Sequence, residues 1–129
     1  MSGPNSIYCK FCKKNCNSSI CTLLITLPNI LIILLNRDKE KYNIDFDENL
    51  NLHNYIQYNN NIGCNYKLIG LISYNRGINI NSYFFAYCRD PITDKWHKYD
   101  DNIISDVNDF KKEVINSTIP FLLLYQRIE

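Results

Sequence analysis

The side chains best suited to catalytic or metal chemistry in this chain are six cysteines, two histidines and 13 aspartates and glutamates. Cys9 and Cys12 stand at C-x-x-C spacing, which lets two thiolates of one tight turn fill adjacent corners of a tetrahedral zinc site. A single pair of this kind is a weak signal. Cys16 and Cys21 extend it, but the spacing is cramped for a local site of four thiolates. Two readings stand side by side: zinc on Cys9 and Cys12, or a disordered N-terminal segment of free thiols. Cys88 falls within an apolar run, where cysteine usually acts as a small core residue. Cys64 follows a glycine in an asparagine-rich tract and reads as a free thiol. His97 and Asp100 lie on one expected strand at a spacing that turns them to opposite faces. His53 sits in a loop-rich middle, and both histidines read as surface residues without a catalytic role.

The scaffold for these groups is limited by length. A chain of 129 residues builds one compact domain and is too short for two comfortable ones. Its formal net charge of +1 gives no field toward nucleic acid or anionic lipid, so neither is an expected partner. The opening residues 1–6 are polar and lack the apolar centre of a secretory signal. The cysteines are therefore expected as reduced thiols or metal ligands, in a cytoplasmic or nuclear setting. Residues 20–35 are apolar but broken by Pro28-Asn29, and they fall short of the roughly 18–20 residues a spanning helix needs. They read as two strands joined by a turn.

Strand composition marks residues 23–26, 30–35, 66–74, 83–88, 96–99 and 120–126. The second run shows no alternation and suits a strand buried on both faces. Residues 50–56 suit one short helical turn. Residues 36–41, 58–63 and 75–81 read as loops, and residues 90–94 as a turn before Trp96. Val107, Phe110 and Val114, at three- and four-residue spacing, predict a short helix over residues 106–115. The expected class is α+β, mainly antiparallel β.

The order of these features resembles a known family. The chain runs through Tyr8-Cys9-Lys10-Phe11-Cys12, then Leu27-Pro28-Asn29-Ile30-Leu31 on to Arg37, Tyr66-Lys67-Leu68-Ile69-Gly70-Leu71 and Asn81-Ser82-Tyr83. Trp96-His97-Lys98-Tyr99-Asp100-Asp101 and Pro120-Phe121-Leu122-Leu123-Leu124-Tyr125-Gln126-Arg127 close it. This succession is similar to the later blocks of ubiquitin-specific proteases, the ubiquitin carboxyl-terminal hydrolases. Those blocks are a cysteine knuckle, L-P-x-x-L, Y-x-L-x-x-V, G-H-Y, W-x-x-F-D-D and a final Y-x-R strand. The resemblance implies the C-terminal half of a papain-like catalytic domain: its palm and part of its fingers. Residues 1–21 would be a finger segment with half of a structural zinc ribbon on Cys9 and Cys12, and residues 22–129 the palm.

The same resemblance assigns site positions. Ser82 stands where the family keeps its catalytic histidine, and Asp100 where it keeps the acid that orients that base. Tyr74 takes the place of a second histidine found in many members. Asn81 replaces a glycine that lets the ubiquitin tail approach the backbone, and Tyr83 follows the base. Tyr74, Asn81 and Tyr83 are thus the implied tail-binding residues, with Trp96 and Tyr99 as nearby aromatic surface; for Tyr83 and Trp96 ordinary core packing is an equally good reading. The block that carries the nucleophilic cysteine belongs to an earlier half not found among these residues. The implied partners are ubiquitin or a ubiquitinated protein, and either the other half of the domain or a second copy. The expected function is a catalytically silent ubiquitin- or protein-binding module. The alternative is the C-terminal piece of an active deubiquitinating thiol protease that cleaves ubiquitin isopeptide bonds.

Overall fold

Two thiol-bearing tetrapeptides, Ser6–Cys9 (β1) and Lys14–Asn17 (β2), fold back on each other as an antiparallel hairpin. Lys13 enters the left-handed region (φ 51°) at its turn. The computed structural model describes residues 6–36, 44–57, 63–76 and 82–128. Asn81 and most of the three expected loops lie outside the described residues.

Among the described residues, seven further strands form a single antiparallel sheet. They are Ile30–Leu34 (β3), Asn49–Asn51 (β4), Asn65–Arg76 (β5), Ser82–Arg89 (β6), Trp96–Asp100 (β7), Ile103–Asp106 (β8) and Pro120–Ile128 (β9). Their order is β3-β9-β5-β6-β7-β8. The short β4 pairs with the start of β5, on the edge that β6 takes over further along.

The long central strand works only because its ladder is irregular. Leu68 pairs with Tyr125 and Gly70 with Leu124, so Ile69 is one residue too many. A bulge of this kind shifts the side-chain alternation by one position. Tyr66 and Leu68 before it, and Leu71 and Ser73 after it, consequently all point into the core and are fully buried. A second irregularity, at Phe121, does the same for β9, where Pro120 lies on one side and Leu123 and Tyr125 on the other. Each fully buried Leu contributes about 1.5–3 kcal/mol of transfer free energy.

Phe46, Leu52, Trp96 and Val114 complete this core, with Leu31 and Ile33 of β3 packed at its margin. Several polar groups at this core are hydrogen-bonded to the main chain. Tyr66 Oη donates to Pro28 O at 2.6 Å, Tyr125 Oη to Asp47 O at 2.7 Å and Ser73 Oγ to Ile119 O at 3.1 Å. The Arg127 guanidinium donates to Leu27 O and Asn29 Oδ1 at 3.0 and 2.8 Å. The Leu-Pro-Asn block is thus clamped onto β5 and β9 by the tyrosine and arginine of two distant blocks.

Four expectations need correction. Residues 23–26 form no strand; Leu24 makes an isolated parallel bridge with Ile56. Residues 30–34 do form a strand, but Ile30, Ile32 and Leu34 are exposed, so it is covered on one face only. The helix over residues 106–115 shrinks to one π-helical turn, Lys111–Ile115, because Asp106 completes β8. Cys88 is exposed on the face away from the core. No helix among the described residues is long and apolar enough to cross a membrane.

Candidate functional site

The site positions implied by the sequence gather around the β5–β6 hairpin and the end of β7. Arg76 and Ser82 form the last pair of the β5–β6 ladder, so Ser82 opens β6. The β6–β7 ladder pairs Ala86 with Tyr99; one further step sets Asp100 across from Phe85. Asp100 closes a tight turn with Ile103, helped by the left-handed Asp101 (φ 50°). Its carboxylate engages Lys98 Nζ at 3.3 Å, and the same ammonium lies 4.3 Å from the Phe85 ring centroid. The acid is thus engaged by a lysine, which can supply charge but cannot shuttle a proton as an imidazole does.

Neither histidine reaches this corner. His97 pairs across the ladder with Asp106, Nδ1 to Oδ1 at 3.0 Å. His53 begins the short 3-10 turn His53–Tyr55 and is exposed.

The aromatic positions divide between the two faces of the sheet. Tyr74 packs against Phe84 (centroids 5.4 Å apart), which packs against Phe121 (5.1 Å) on the face away from the core. Tyr83 joins Phe85 (6.2 Å) and Tyr87 (5.5 Å from Phe85) on the core face. Tyr74 and Tyr83 therefore do not share a surface. Of the two readings of Trp96 the structure takes core packing: it stacks on Phe110 with centroids 4.4 Å apart. Tyr99 is partly exposed. Burial pushes the Tyr87 hydroxyl above its ordinary pKa, and the charges of Glu113 and Asp100 add to the shift.

In the N-terminal hairpin the turn brings Cys12 over β2, with Cys12 Sγ 3.2 Å from Cys16 Sγ. The Cys12 amide N–H and then its thiol hold the Cys9 thiol below its usual pKa, whereas the sulfurs of Cys16 and Cys9 push Cys12 up. A tetrahedral zinc site needs four ligands. Among the described residues no group of three or more metal-type side chains is arranged to hold an ion. Partial desolvation raises the thiol of the surface residue Cys88 above its ordinary pKa.

One charged cluster escaped the sequence reading. Arg89 ends β6 with its side chain almost fully buried, held by Glu48 at 3.1 Å and by Asp94, which also faces Lys67 at 3.5 Å. Its Nε finds no hydrogen-bond partner. Arg89, Asp94 and Lys67, with Gln126, line a cleft of about 300 Å³. A strand ending in arginine just before the acidic turn Asp90–Asp94 was the available signal, but Glu48 comes from a remote part of the chain.

The family model described as ubiquitin carboxyl-terminal hydrolase matches residues 4–125. The chain belongs to that family. Ubiquitin carboxyl-terminal hydrolase Usp2 of Drosophila melanogaster is 29% identical over 136 residues, covering 96% of this chain and 13% of Usp2. The hydrolase-family fold is also shared with a chain of the SAGA Ubp8/Sgf11/Sus1/Sgf73 DUB module. That match has a TM-score of 0.65 and 26% identity, over 80% of this chain and 24% of the other. A DUB module of the same subunits bound to monoubiquitin gives a TM-score of 0.74 at 21% identity, over 95% and 28%. An essential yeast splicing factor shares the fold as well, with a TM-score of 0.60 at 16% identity, over 80% and 26%. This family member thus spans a small part of the relatives it matches. Its mostly antiparallel sheet agrees with part of the papain-like fold the resemblance implied.

Proposed function

We propose that this chain is a palm module that binds ubiquitin without hydrolysing it. The carrying observation is the residue at the start of β6, Ser82, in the block where the family keeps its histidine. A thiol protease needs a base that takes the thiol proton and returns it to the leaving amine. A serine hydroxyl has no basic form near neutral pH. The engagement of Asp100 with Lys98 supports the reading, and so does the placement of His97, which the alternation of β7 turns to the face opposite Asp100. A fold can also serve unrelated functions, because activity resides in the site it carries.

The test combines two measurements on the 129-residue chain. A ubiquitin probe with a thiol-reactive C-terminus is expected to leave all six cysteines unlabelled, while ubiquitin titrated into the labelled chain shifts NMR resonances of β5 and β6. Labelling at any cysteine overturns the silent reading, and an unchanged spectrum overturns the ubiquitin-binding one. Zinc forms part of the proposal: Cys9 and Cys12 would supply two thiolates to a structural ion that stiffens the hairpin. Metal analysis of the purified chain and of its Cys9→Ser variant checks this.

A second reading is favoured by the 13% coverage of Usp2, which leaves room for a nucleophile segment elsewhere in a longer product. In that case ubiquitin–fluorophore hydrolysis by the complete gene product would be robust, and Asp100→Ala would abolish it.

A further inference from the structure

We infer that Cys12 and Cys16 form a reversible disulfide when the chain meets a peroxide. In the hairpin ladder Cys9 pairs with Lys14 and Ile7 with Cys16, so Cys9 and Cys16 occupy neighbouring positions on one side. The turn then folds Cys12 back until its sulfur lies 3.2 Å from that of Cys16. A disulfide has an S–S length of about 2.05 Å, so the sulfurs must close by roughly 1 Å, within reach of small side-chain rotations in an exposed turn. Cys12 is exposed and Cys16 half-buried, which gives a small oxidant access to the pair.

The chemistry balances with hydrogen peroxide as the oxidant. One thiolate attacks a peroxide oxygen and the O–O bond breaks; with one proton taken up, a sulfenic acid and water form. The second thiol attacks the sulfenic sulfur, the S–O bond breaks and a second water leaves with the thiol proton. Two thiols have lost two electrons and the peroxide has gained them. An external dithiol reverses the step by exchange. Formation of the bond does not depend on zinc. Its consequence does rest on the zinc reading: a bonded Cys12 can no longer serve as a thiolate ligand, so oxidation and metal loading exclude each other.

Peptide mapping tests the assignment, because Lys13 and Lys14 place tryptic cuts between the two cysteines. The full chain is stripped of metal with EDTA, treated with hydrogen peroxide, alkylated and digested. The expected product joins peptide 11–13 to peptide 15–37, two hydrogens lighter than their sum. Since Cys21 shares the second peptide, the link must survive Cys21→Ser and disappear in Cys16→Ser. Prior loading with zinc should suppress it if the metal reading holds; failure of that arm alone counts against zinc and leaves the disulfide standing. A link from Cys12 to Cys9 or Cys21, or oxidation that stops at sulfinic acids without a link, overturns the inference.

Discussion

Tyr125 shows how a single hydroxyl couples the sheet to its surroundings. Its ring lies in the core and its Oη–H donates to Asp47 O, so ionisation would place a phenolate in an apolar site. Burial, helped by the Asp47 charge, pushes its pKa up to about 12. Tyrosine in an unfolded chain titrates near 10. The neutral form is therefore the one the fold favours: this contribution is complete below pH about 10 and is lost as pH rises from there through about 12. Tyr66 and Tyr87 shift the same way, again mainly from burial. Alkaline unfolding should accordingly coincide with the appearance of tyrosinate absorbance, and Tyr125→Phe should move it to higher pH. At neutral pH the same variant should cost about 1 kcal/mol in denaturant titrations, because Asp47 O loses its donor. Asp100 belongs at this scale too. Its ion pair with Lys98 is partly solvated, and such pairs contribute about 0–1 kcal/mol. Asp100→Ala should lower stability by no more than that, and in the silent reading it should leave ubiquitin affinity unchanged.

Among the elements, β5 carries the strongest constraint, and it comes from one residue. Ile69 is the extra position that brings both halves of the strand's inward set onto the same face. Deleting it would straighten the ladder and turn either Tyr66 and Leu68 or Leu71 and Ser73 outward. The deletion is expected to abolish cooperative unfolding followed by circular dichroism, whereas Ile69→Val, which keeps the count, should cost about 0.5–1.5 kcal/mol at most. A deletion variant that melts as sharply as the parent would refute this account of the bulge. The strand itself was legible from its β-branched and aromatic content, but the bulge was not, because Ser73 hides the inward parity that Leu71 begins. Residues 23–26 misled for the opposite reason. Their composition is that of a strand, yet only Leu24 finds a backbone partner. Over residues 106–115 the helical spacing of Val107, Phe110 and Val114 is real, but it arises as a chain leaves β8 and turns once under Trp96, not from a continuous helix. At the site, the strand that Ser82 opens could be read from the composition of residues 83–88. The engagement of Asp100 with Lys98 could not, because it depends on which side chains share a face after the β6–β7 pairing is set.

At the scale of the whole molecule, the sheet has one face with a core and one with much less cover. On the second face Ile32 and Leu34 remain 60% and 61% exposed, and Phe84 of β6 is half-exposed. Ile32 and Leu34 lie on β3, which among the described residues is an edge strand of the sheet. Apolar side chains on an open edge promote association between chains, since both the hydrophobic effect and unpaired backbone groups favour it. The absence of apolar–polar alternation in β3 had suggested cover on both sides, and the structure converts that pattern into a solubility problem. Replacing Ile32 and Leu34 together with lysine places two charges where solvent already reaches. Propensity differences in strands span about 1 kcal/mol, so the double variant should melt close to the parent. Its light scattering should rise less steeply with concentration than the parent's. If instead the variant unfolds at much lower temperature while its scattering is unchanged, these side chains are packed in solution and the face is not open.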